Sequence, residues 1–349
     1  MNVMVTGAHG FMGSNLVRVL LEEGFNVRAC VRPGGNFATL SGLDAERFEA
    51  DLTDAEALAK ACAGIDTVFH LASCTHEWNW WPVYQKINVE GTRLLLDGAI
   101  QAGVRRIVYM SSLAVHHFHG IREGNEDTPM DGHLFTGYAR SKIETEHMLR
   151  RYQAEGKIET VIIRPGVFPY GPNDQTHVRV FQTMHQGGWG MVNKGCALVS
   201  TVYVDNLAYG LIAAAQKEHA AGQTYVIADD HKLTWRILSE KFIEALGGRP
   251  PKINAPLWLV YPIGAALERT YRTLRIKKPP FVTRYTVSLA GKDFYFLPTK
   301  AAQELEYTPR IGLDEGIQRT AEWYLQTHAN TALKKPRRLS QKHSHAQKS

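Results

Sequence analysis

The sequence has no hydrophobic run long enough to cross a membrane. Its longest apolar stretch, Pro256 to Leu267, is twelve residues long and is interrupted by Pro262, whereas a membrane-spanning helix needs about 20 apolar residues. The first residues, MNVMVTG, also lack the basic flank and the cleavage site of a signal peptide. We therefore expect a cytoplasmic protein without a transmembrane segment.

Cysteine is scarce, with four residues among 349 and no CxxC pair. Disulfide scaffolds and zinc knuckles need closer pairs, so the sequence favours a reduced compartment. A cluster at His116, His117 and His119 has no acidic or cysteine partner within three residues in the sequence. We predict no metal site there, because metal ions in proteins usually need three or four ligands.

Acidic residues are absent from the C-terminal end. The last sixteen residues hold six lysines and arginines and no acid, and this accounts for the whole net charge of +6. The remainder of the chain is neutral, which argues against a nucleic-acid-binding surface. We expect residues 331–349 to form a disordered basic tail.

Strand and helix patterns alternate through the first half of the chain. The strand patterns Asn2 to Val5 and Asn26 to Val31 flank a helical pattern at Phe11 to Glu22, and longer helices are predicted at Val83 to Ala102 and Thr136 to Ala154. Such alternation predicts βαβ units and an α/β, doubly wound parallel sheet of the Rossmann type.

The pattern becomes irregular after about residue 170. We expect residues 1–170 to form a dinucleotide-binding domain, to which the chain partly returns after residue 200. Residues 171–330 are expected to form mainly a smaller, irregular α/β substrate lobe, because mixed segments there are separated by Pro250–Pro251 and Pro279–Pro280.

A glycine-rich segment, Thr6 to Gly13, follows the first strand and precedes the first helix. Gly7, Gly10 and Gly13 are spaced G-x-x-G-x-x-G, and that position lets a backbone approach a pyrophosphate at a helix N-terminus. The spacing departs from G-x-G-x-x-G, so an ordinary glycine turn is the alternative. The candidate cofactor-binding residues of this segment are Gly7, Gly10, Phe11, Met12 and Gly13.

The second strand ends without an acidic residue. A carboxylate at that point would accept hydrogen bonds from the adenosine ribose of NAD, but the strand ends in Val31-Arg32. A guanidinium can pair with a 2′-phosphate, so Arg32, with possible help from Arg28, favours NADP(H) over NAD(H), which stays possible. The alternative for both arginines is an exposed position in solvent.

Tyr138 and Lys142 are four residues apart in a predicted helix and therefore share one face. A nearby ammonium lowers the pKa of a phenol, which suits proton transfer to or from a substrate oxygen. Ser112 follows the fifth strand, where parallel sheets bind ligands, and its hydroxyl could hold the reacting oxygen. Each feature alone is weak, because Y-x-x-x-K is common and a serine at a strand end often caps a helix.

The order of motifs resembles the extended short-chain dehydrogenases/reductases of the NAD-dependent epimerase/dehydratase superfamily, in particular the 3β-hydroxysteroid dehydrogenase and dihydroflavonol 4-reductase branch. The resemblance spans roughly residues 1–325. The matching segments are TGAHGFMG (Thr6 to Gly13), DLT (Asp51 to Thr53), HLAS (His70 to Ser73), NVEGT (Asn88 to Thr92), YMSS (Tyr109 to Ser112), YARSK (Tyr138 to Lys142), RPG (Arg164 to Gly166) and VYVDN (Val202 to Asn206).

This resemblance implies a catalytic set. Tyr138 would be the general acid/base, Lys142 would tune it and hold the nicotinamide ribose, and Ser112 would orient the oxygen. Asn88 would be a buried support behind the site, and the two long helices would form a homodimer interface. The other implied cofactor contacts are Asp51 and Leu52 at the adenine, Leu71, Ala72 and Ser73 at the middle of the cofactor, and Pro165, Gly166, Val167 and Phe168 at the nicotinamide.

The implied function is an NADP(H)-preferring oxidoreductase. It would transfer a hydride between nicotinamide and a ketone or secondary alcohol of a lipophilic or cyclic small molecule, such as a sterol-like, flavonoid-like or β-keto compound. A nucleotide-sugar epimerase or dehydratase with tightly bound NAD is one alternative, although many such enzymes have threonine at the position of Ala114. A non-catalytic NADPH sensor or scaffold is another.

Three further features concern the substrate and the surface. Trp78, Trp80 and Trp81 would either wall an apolar substrate pocket or fix their own loop. Phe118 or His119, which follow Ser112, could line the same pocket. Residues 256–278 combine the longest apolar stretch with several cations, so they would form either a peripheral membrane contact or an ordinary lobe helix.

Overall fold

A computed structural model describes residues 1–75, 78–134, 136–229, 231–280 and 282–328. The predicted tail, residues 331–349, lies outside this part of the chain. The strands are β1 (Asn2–Thr6), β2 (Asn26–Val31), β3 (Glu46–Glu49), β4 (Thr67–His70), β5 (Arg106–Met110), β6 (Ile121–Gly124), β7 (Glu159–Pro165), β8 (Phe168–Tyr170), β9 (Gly190–Val192), β10 (Leu198–Val199), β11 (Thr201–Tyr203), β12 (Thr224–Ile227), β13 (Leu233–Thr234), β14 (Ile253–Ala255) and β15 (Phe294–Phe296).

The α-helices of the described residues alternate with these strands in the first half of the chain. They are α1 (Phe11–Glu22), α2 (Ala55–Cys62), α3 (Trp81–Tyr84), α4 (Gly91–Gln101), α5 (Gly137–Ala154), α6 (Val178–His185), α7 (Val204–Gln216), α8 (Trp235–Ala245), α9 (Leu257–Thr273), α10 (Arg284–Gly291), α11 (Thr299–Glu304) and α12 (Leu313–His328).

A seven-stranded sheet forms the centre of the described structure, in the order β12-β7-β5-β4-β1-β2-β3. Neighbouring strands in it pair in parallel. This confirms the predicted Rossmann-type fold. The strand order reverses between β1 and β4, and a reversal of this kind opens a ligand-binding crevice at the carboxyl ends of the two strands.

Helices cover both faces of the sheet. One face packs against α1 and α7 through residues such as Leu16 and Leu211, and the other packs against α2, α4 and α5 through residues such as Leu58 and Leu149. Strand β5 is buried along its whole length, as expected for a central parallel strand. Its first residue, Arg106, donates to carbonyl oxygens at the C-terminal end of α7.

A smaller lobe lies beyond the carboxyl ends of the central strands. It contains a four-stranded sheet, β13-β10-β15-β6, and the strand pairs β11–β8 and β14–β9. Strand β6 comes from the first half of the chain and β12 returns to the central sheet from the second half, so the two units exchange strands. An aromatic core that includes Phe181, Phe242 and Tyr324 fills the lobe.

The long helix predicted at Val83 to Ala102 has an irregular centre. It begins at Trp81, and α3 and α4 are joined by a π-helical turn over Gln85–Glu90. The turn contains Asn88, whose side chain makes hydrogen bonds away from its own helix. Single π turns often mark functional sites. Within the described part of the chain, no helix is long and apolar enough to cross a bilayer.

Candidate active site

The glycine-rich turn after β1 requires glycine at two positions. Gly7 has φ +68°, and a Cβ atom there would lie 2.9 Å from the backbone of Ala72. A Cβ atom on Gly13 would lie 2.2 Å from the carbonyl oxygen of Gly7. The N–H of Gly10 donates to the same oxygen at 2.9 Å. The turn is therefore tight, and it packs closely against the residues that follow β4.

The N-terminus of α1 suits an anion. Gly10 is the N-cap residue and provides no side-chain cap, and the first turn contains no acid. The N–H groups of a helix's first turn have no carbonyl partner within the helix, so these groups and the positive end of the helix dipole are available to a phosphate. Phe11 is buried beside the lobe core and Met12 is half-buried, so their side chains fix the helix. The tight glycine-rich turn and the uncapped N-terminus of α1 together fit a dinucleotide pyrophosphate.

The two arginines of the second strand have different environments. Arg28 donates to Glu46 at 2.9 Å and to the carbonyl oxygens of Ala61 and Ala63, so it stabilises the sheet edge. Arg32 lies exposed immediately after β2. Asp51 is half-buried, and hydrogen bonds from Thr53 hold the pKa of its carboxyl below the ordinary value. Of the two arginines, Arg32 is thus the one with its guanidinium exposed beyond the strand end.

The segment after β4 is anchored by a buried histidine. His70 Nδ1 lies 2.7 Å from Thr6 Oγ1 and its Nε2 lies 2.9 Å from Thr92 Oγ1. Burial lowers the pKa of His70 to about 3, so the ring is neutral and structural. The backbone N–H of Ala72 donates to Thr6 Oγ1, and Leu71, Ala72 and Ser73 are half-buried at the crevice.

Tyr138 and Lys142 lie together at the start of α5. Thr136 caps this helix by accepting a hydrogen bond from the N–H of Ala139. Lys142 Nζ lies 5.8 Å from the centre of the Tyr138 ring, and Tyr138 is half-buried. The lysine is 2% exposed, and its Nζ donates to the carbonyl oxygen of Met110 at 2.7 Å. Burial lowers the pKa of Lys142 to about 7.

The two serines that follow β5, Ser111 and Ser112, have different environments. Ser111 is buried and donates to Glu146 Oε1 at 2.5 Å. Ser112 is half-buried and accepts a hydrogen bond from the N–H of Ala114 at 3.1 Å, which caps a short 3₁₀ turn. This contact uses the Ser112 oxygen as an acceptor, so the hydroxyl proton remains available to a substrate oxygen.

Two buried side chains, those of Asn88 and Arg164, connect α5 to neighbouring segments. Asn88 accepts from the N–H of Cys74 at 2.7 Å and donates to Ser141 Oγ at 2.8 Å, which joins the loop after β4 to α5. Arg164, near the end of β7, pairs with Glu146 of the same helix. Sequence reasoning missed Glu146, whose only signal was its position four residues after Lys142.

The segment between β7 and β8 runs close to β11. A Cβ atom on Gly166 would lie 2.7 Å from the backbone of Thr201. Pro165 is buried and Val167 is half-buried. The ring of Phe168 packs against His177 and Trp235 in the lobe core. Any contact between Phe168 and a cofactor would therefore involve its backbone.

A cavity of about 1070 Å³ opens beside this site. Its walls include Thr75, which follows β4, and Thr136, which lies two residues before Tyr138. Four cations and one acid also line it, and sequence reasoning missed most of them because they are scattered over the second half of the chain. They are Arg179, Arg272, Lys278, Arg284 and Glu268.

The environment of Trp78 is compatible with both alternatives for the tryptophan loop. Trp78 lines the cavity, and it also donates to the carbonyl oxygen of Ile276 and stacks under the guanidinium of Arg272. Phe118 and His119 do not line this cavity: Phe118 is buried against Phe294, and His119 is exposed. The ring of Phe118 contacts Tyr285, which does line the cavity, and the place of Phe118 or His119 in a substrate pocket stays a prediction.

Histidine clusters do not form a metal site in the described structure. His116 is buried, its Nδ1 lies 2.9 Å from the carbonyl oxygen of Pro129, and burial lowers its pKa to about 4. Among the residues that the structure describes, no group of three histidines, cysteines or acids is placed to hold a metal ion.

The fold and the site define a nicotinamide-dependent oxidoreductase that acts on a hydroxyl or keto group. The model of the NAD dependent epimerase/dehydratase family matches residues 3–228, and the chain belongs to this family. This result confirms the resemblance to extended short-chain dehydrogenases/reductases.

Two named relatives and one solved structure are similar over most of their lengths. The 2-alkyl-3-oxoalkanoate reductase of Shewanella oneidensis is 30% identical, over 91% of this chain and 85% of its own. The decarboxylating sterol-4-alpha-carboxylate 3-dehydrogenase of Mus musculus is 29% identical, over 91% and 89%. The UDP-glucose 4-epimerase of Thermus thermophilus, solved with NAD, superposes with a TM-score of 0.72 at 22% identity, over 94% of this chain and 100% of its own. The similarity to this epimerase shows a shared fold.

Proposed function

We propose that the protein is an NADPH-preferring reductase of a lipophilic 3-oxo compound that carries an anionic group. The observation that carries the proposal is the Tyr138–Lys142 pair in the first turns of α5, close in the chain to Thr136, which lines a cavity with several cations. When bound, the nicotinamide supplies the hydride in reduction and accepts it in oxidation.

We assign three roles to the chain's own residues. Tyr138 gives its phenolic proton to the substrate oxygen during reduction. Lys142 holds the nicotinamide ribose and favours the phenolate that results. Ser112 donates a hydrogen bond to the same substrate oxygen, which stabilises negative charge as it develops.

The preference for NADPH rests on Arg32. Its exposed side chain follows β2 at the carboxyl edge of the sheet, where the adenosine ribose of a bound dinucleotide lies in this fold. No acid follows β2 to accept hydrogen bonds from a free 2′-hydroxyl. A guanidinium at this place favours a 2′-phosphate through charge-assisted hydrogen bonds.

The anionic group of the substrate is inferred from the cavity. Arg284 is neutralised by Glu268, with Nε and Oε2 2.8 Å apart. Arg179, Arg272 and Lys278 have no carboxylate partner among the described residues. Their positive charge suits a carboxylate. The Shewanella and mouse relatives are named for an oxoalkanoate and a sterol carboxylate.

A nucleotide-sugar epimerase is the second candidate, because the same cations would fit a pyrophosphate. The arginine after β2 and Ala114 in place of threonine both favour the reductase. A non-catalytic NADPH sensor is the third candidate, and a sensor would have no use for Tyr138 beside Lys142.

We also propose that the protein is a cytoplasmic homodimer. Its interface would be formed by the helical segments 83–102 and 136–154.

The test is an NADPH oxidation assay with a 2-alkyl-3-oxoalkanoate, its methyl ester, a neutral cyclic ketone and UDP-glucose. We expect the free acid to be the best substrate and the Tyr138→Phe variant to lose at least about 100-fold in kcat. Near-normal turnover by this variant would rule out the mechanism. Tightly bound NAD with conversion of UDP-glucose would establish the epimerase, and cofactor binding without turnover of any compound would favour the sensor.

A further inference from the structure

Helix α9 presents apolar side chains to solvent along its first turns. Trp258 is 75% exposed, Ile263 is 48% exposed and Leu259 is 43% exposed. Pro262 and Ala266 are also exposed. Positions 258, 259, 262, 263 and 266 lie on one face of a helix, so they form a continuous outward stripe. Contiguous apolar patches of this kind mark interaction sites.

The orientation of α9 is fixed by its opposite face. A Cβ atom on Gly264 would lie 3.1 Å from the backbone of Thr283, so α9 packs closely against the start of α10. Glu268 is buried on this inner side and binds both the backbone N–H and the side chain of Arg284. The apolar stripe therefore faces outward because the other side of the helix is already packed.

Positive charge surrounds the apolar stripe. Lys252 precedes α9, and Arg269, Arg275 and Lys277 are exposed at its C-terminal end. None of these four has an ion-pair partner among the described residues. The one acid between residues 252 and 278 is Glu268, which is already neutralised by Arg284. Further exposed apolar side chains flank the stripe, namely Ile253, Leu274 and Ile276.

We propose that α9 and its flanking residues dock on the surface of an anionic lipid bilayer. The apolar stripe would enter the headgroup region, with Trp258 at the interface that tryptophan favours, while the cations pair with lipid phosphates. A second copy of the chain is the poorer occupant, because a two-fold contact would bring the same uncompensated cations together. This proposal does not depend on the proposed reaction.

The docking surface adjoins the substrate cavity. Arg272, Ile276 and Lys278 line that cavity, and they belong to the C-terminal end of α9 and the residues just after it. Docking would therefore place one wall of the cavity beside the membrane surface. This arrangement suits a lipophilic substrate that partitions into the bilayer.

The test is co-sedimentation of the full chain with sucrose-loaded vesicles. The vesicles contain phosphatidylcholine alone or phosphatidylcholine with phosphatidylglycerol. We expect binding to the anionic vesicles, weakened by high salt because charge contributes. We expect the Trp258→Ser/Ile263→Ser variant to bind about tenfold more weakly. The Arg269→Gln/Lys277→Gln variant should bind more weakly in low salt and differ little from wild type in high salt.

The matched control is Ile237→Ser, which removes an apolar side chain of similar exposure from α8. It should bind vesicles as the wild type does, and thermal unfolding should show that every variant is folded. Equal binding to neutral and anionic vesicles, or undiminished binding by the Trp258→Ser/Ile263→Ser variant, would overturn the proposal. A dimer in light scattering that this variant dissociates would instead assign the stripe to a second copy.

Discussion

Arg164 and Glu146 form a two-point ion pair in the interior of the protein. Arg164 Nη2 lies 2.7 Å from Glu146 Oε2 and Nε lies 3.0 Å from Oε1, and both side chains are inaccessible to solvent. Burial alone would raise the pKa of the Glu146 carboxyl, but hydrogen bonds from Arg164 and Ser111 hold it below the ordinary value. The pair fixes β7 to α5, and α5 carries Tyr138 and Lys142.

Removal of one partner of this pair should destabilise the protein strongly. We expect Arg164→Met to lower the free energy of unfolding by about 3–5 kcal/mol, because the buried Glu146 carboxylate loses its buried partner and keeps only Arg150, whose side chain is 36% exposed. The Glu146→Leu/Arg164→Met double variant should recover most of the loss, since both members of the buried pair are then replaced by apolar side chains. Urea unfolding measures both, and a double variant less stable than Arg164→Met would contradict this account.

Lys142 should make the stability of the cofactor-free protein depend on pH. Burial lowers its pKa to about 7, below its ordinary value near 10.4. Between these two values the unfolded chain binds more protons than the folded one, so stability rises with pH. Relative to Lys142→Met, the wild type should gain up to about 1.4 kcal/mol per pH unit across this window.

The measurement is urea unfolding of both proteins at several values of pH from 6 to 10. Below pH 7 the lysine is protonated in both states, so the difference between the two proteins should become constant. The Lys142→Met variant should also lose activity at every pH. A difference that does not change with pH would show that Lys142 keeps an ordinary pKa in the folded protein.

Substitutions of Ser111 and Ser112 should affect different properties. The change at Ser111 should lower stability, and the change at Ser112 should lower activity. Ser112→Ala removes the donor to the substrate oxygen, so we expect kcat to fall by about 10²-fold. Ser111→Ala removes a bond to the buried Glu146, so it should lower the free energy of unfolding by about 1–3 kcal/mol and leave kcat nearly unchanged. Steady-state kinetics and urea unfolding of each variant distinguish these effects, and Ser112→Thr should restore part of the activity.

Arg32 should decide between the two nicotinamide cofactors. In Arg32→Ser we expect the Kd for NADPH to rise about 10–100-fold, because a charge-assisted pair with the 2′-phosphate is lost. The Kd for NADH should change little. Fluorescence titration measures both constants. Arg28→Gln is the control, since Arg28 bonds within the sheet edge, and it should affect stability without altering the ratio of the two constants.

The sequence by itself determined the central fold and the local residue patterns around the crevice. The positions of Gly7 and Gly13 after an apolar strand, and of Tyr138 and Lys142 one helical turn apart, are local patterns. Periodicity and local spacing report such features directly, because strand–turn–helix geometry links residues close in the chain. The predicted bounds of α1 and α5 accordingly agree with the structure to within one residue.

Only the tertiary structure decided which distant side chains meet. Glu146 and Arg164 pair across two elements, and Arg179 faces the cavity together with residues almost a hundred positions later. The sequence also left open whether α9 turns its apolar face inward or outward. That choice depends on packing: Gly264 and Glu268 occupy the side against α10, so Trp258 and Ile263 are left in solvent.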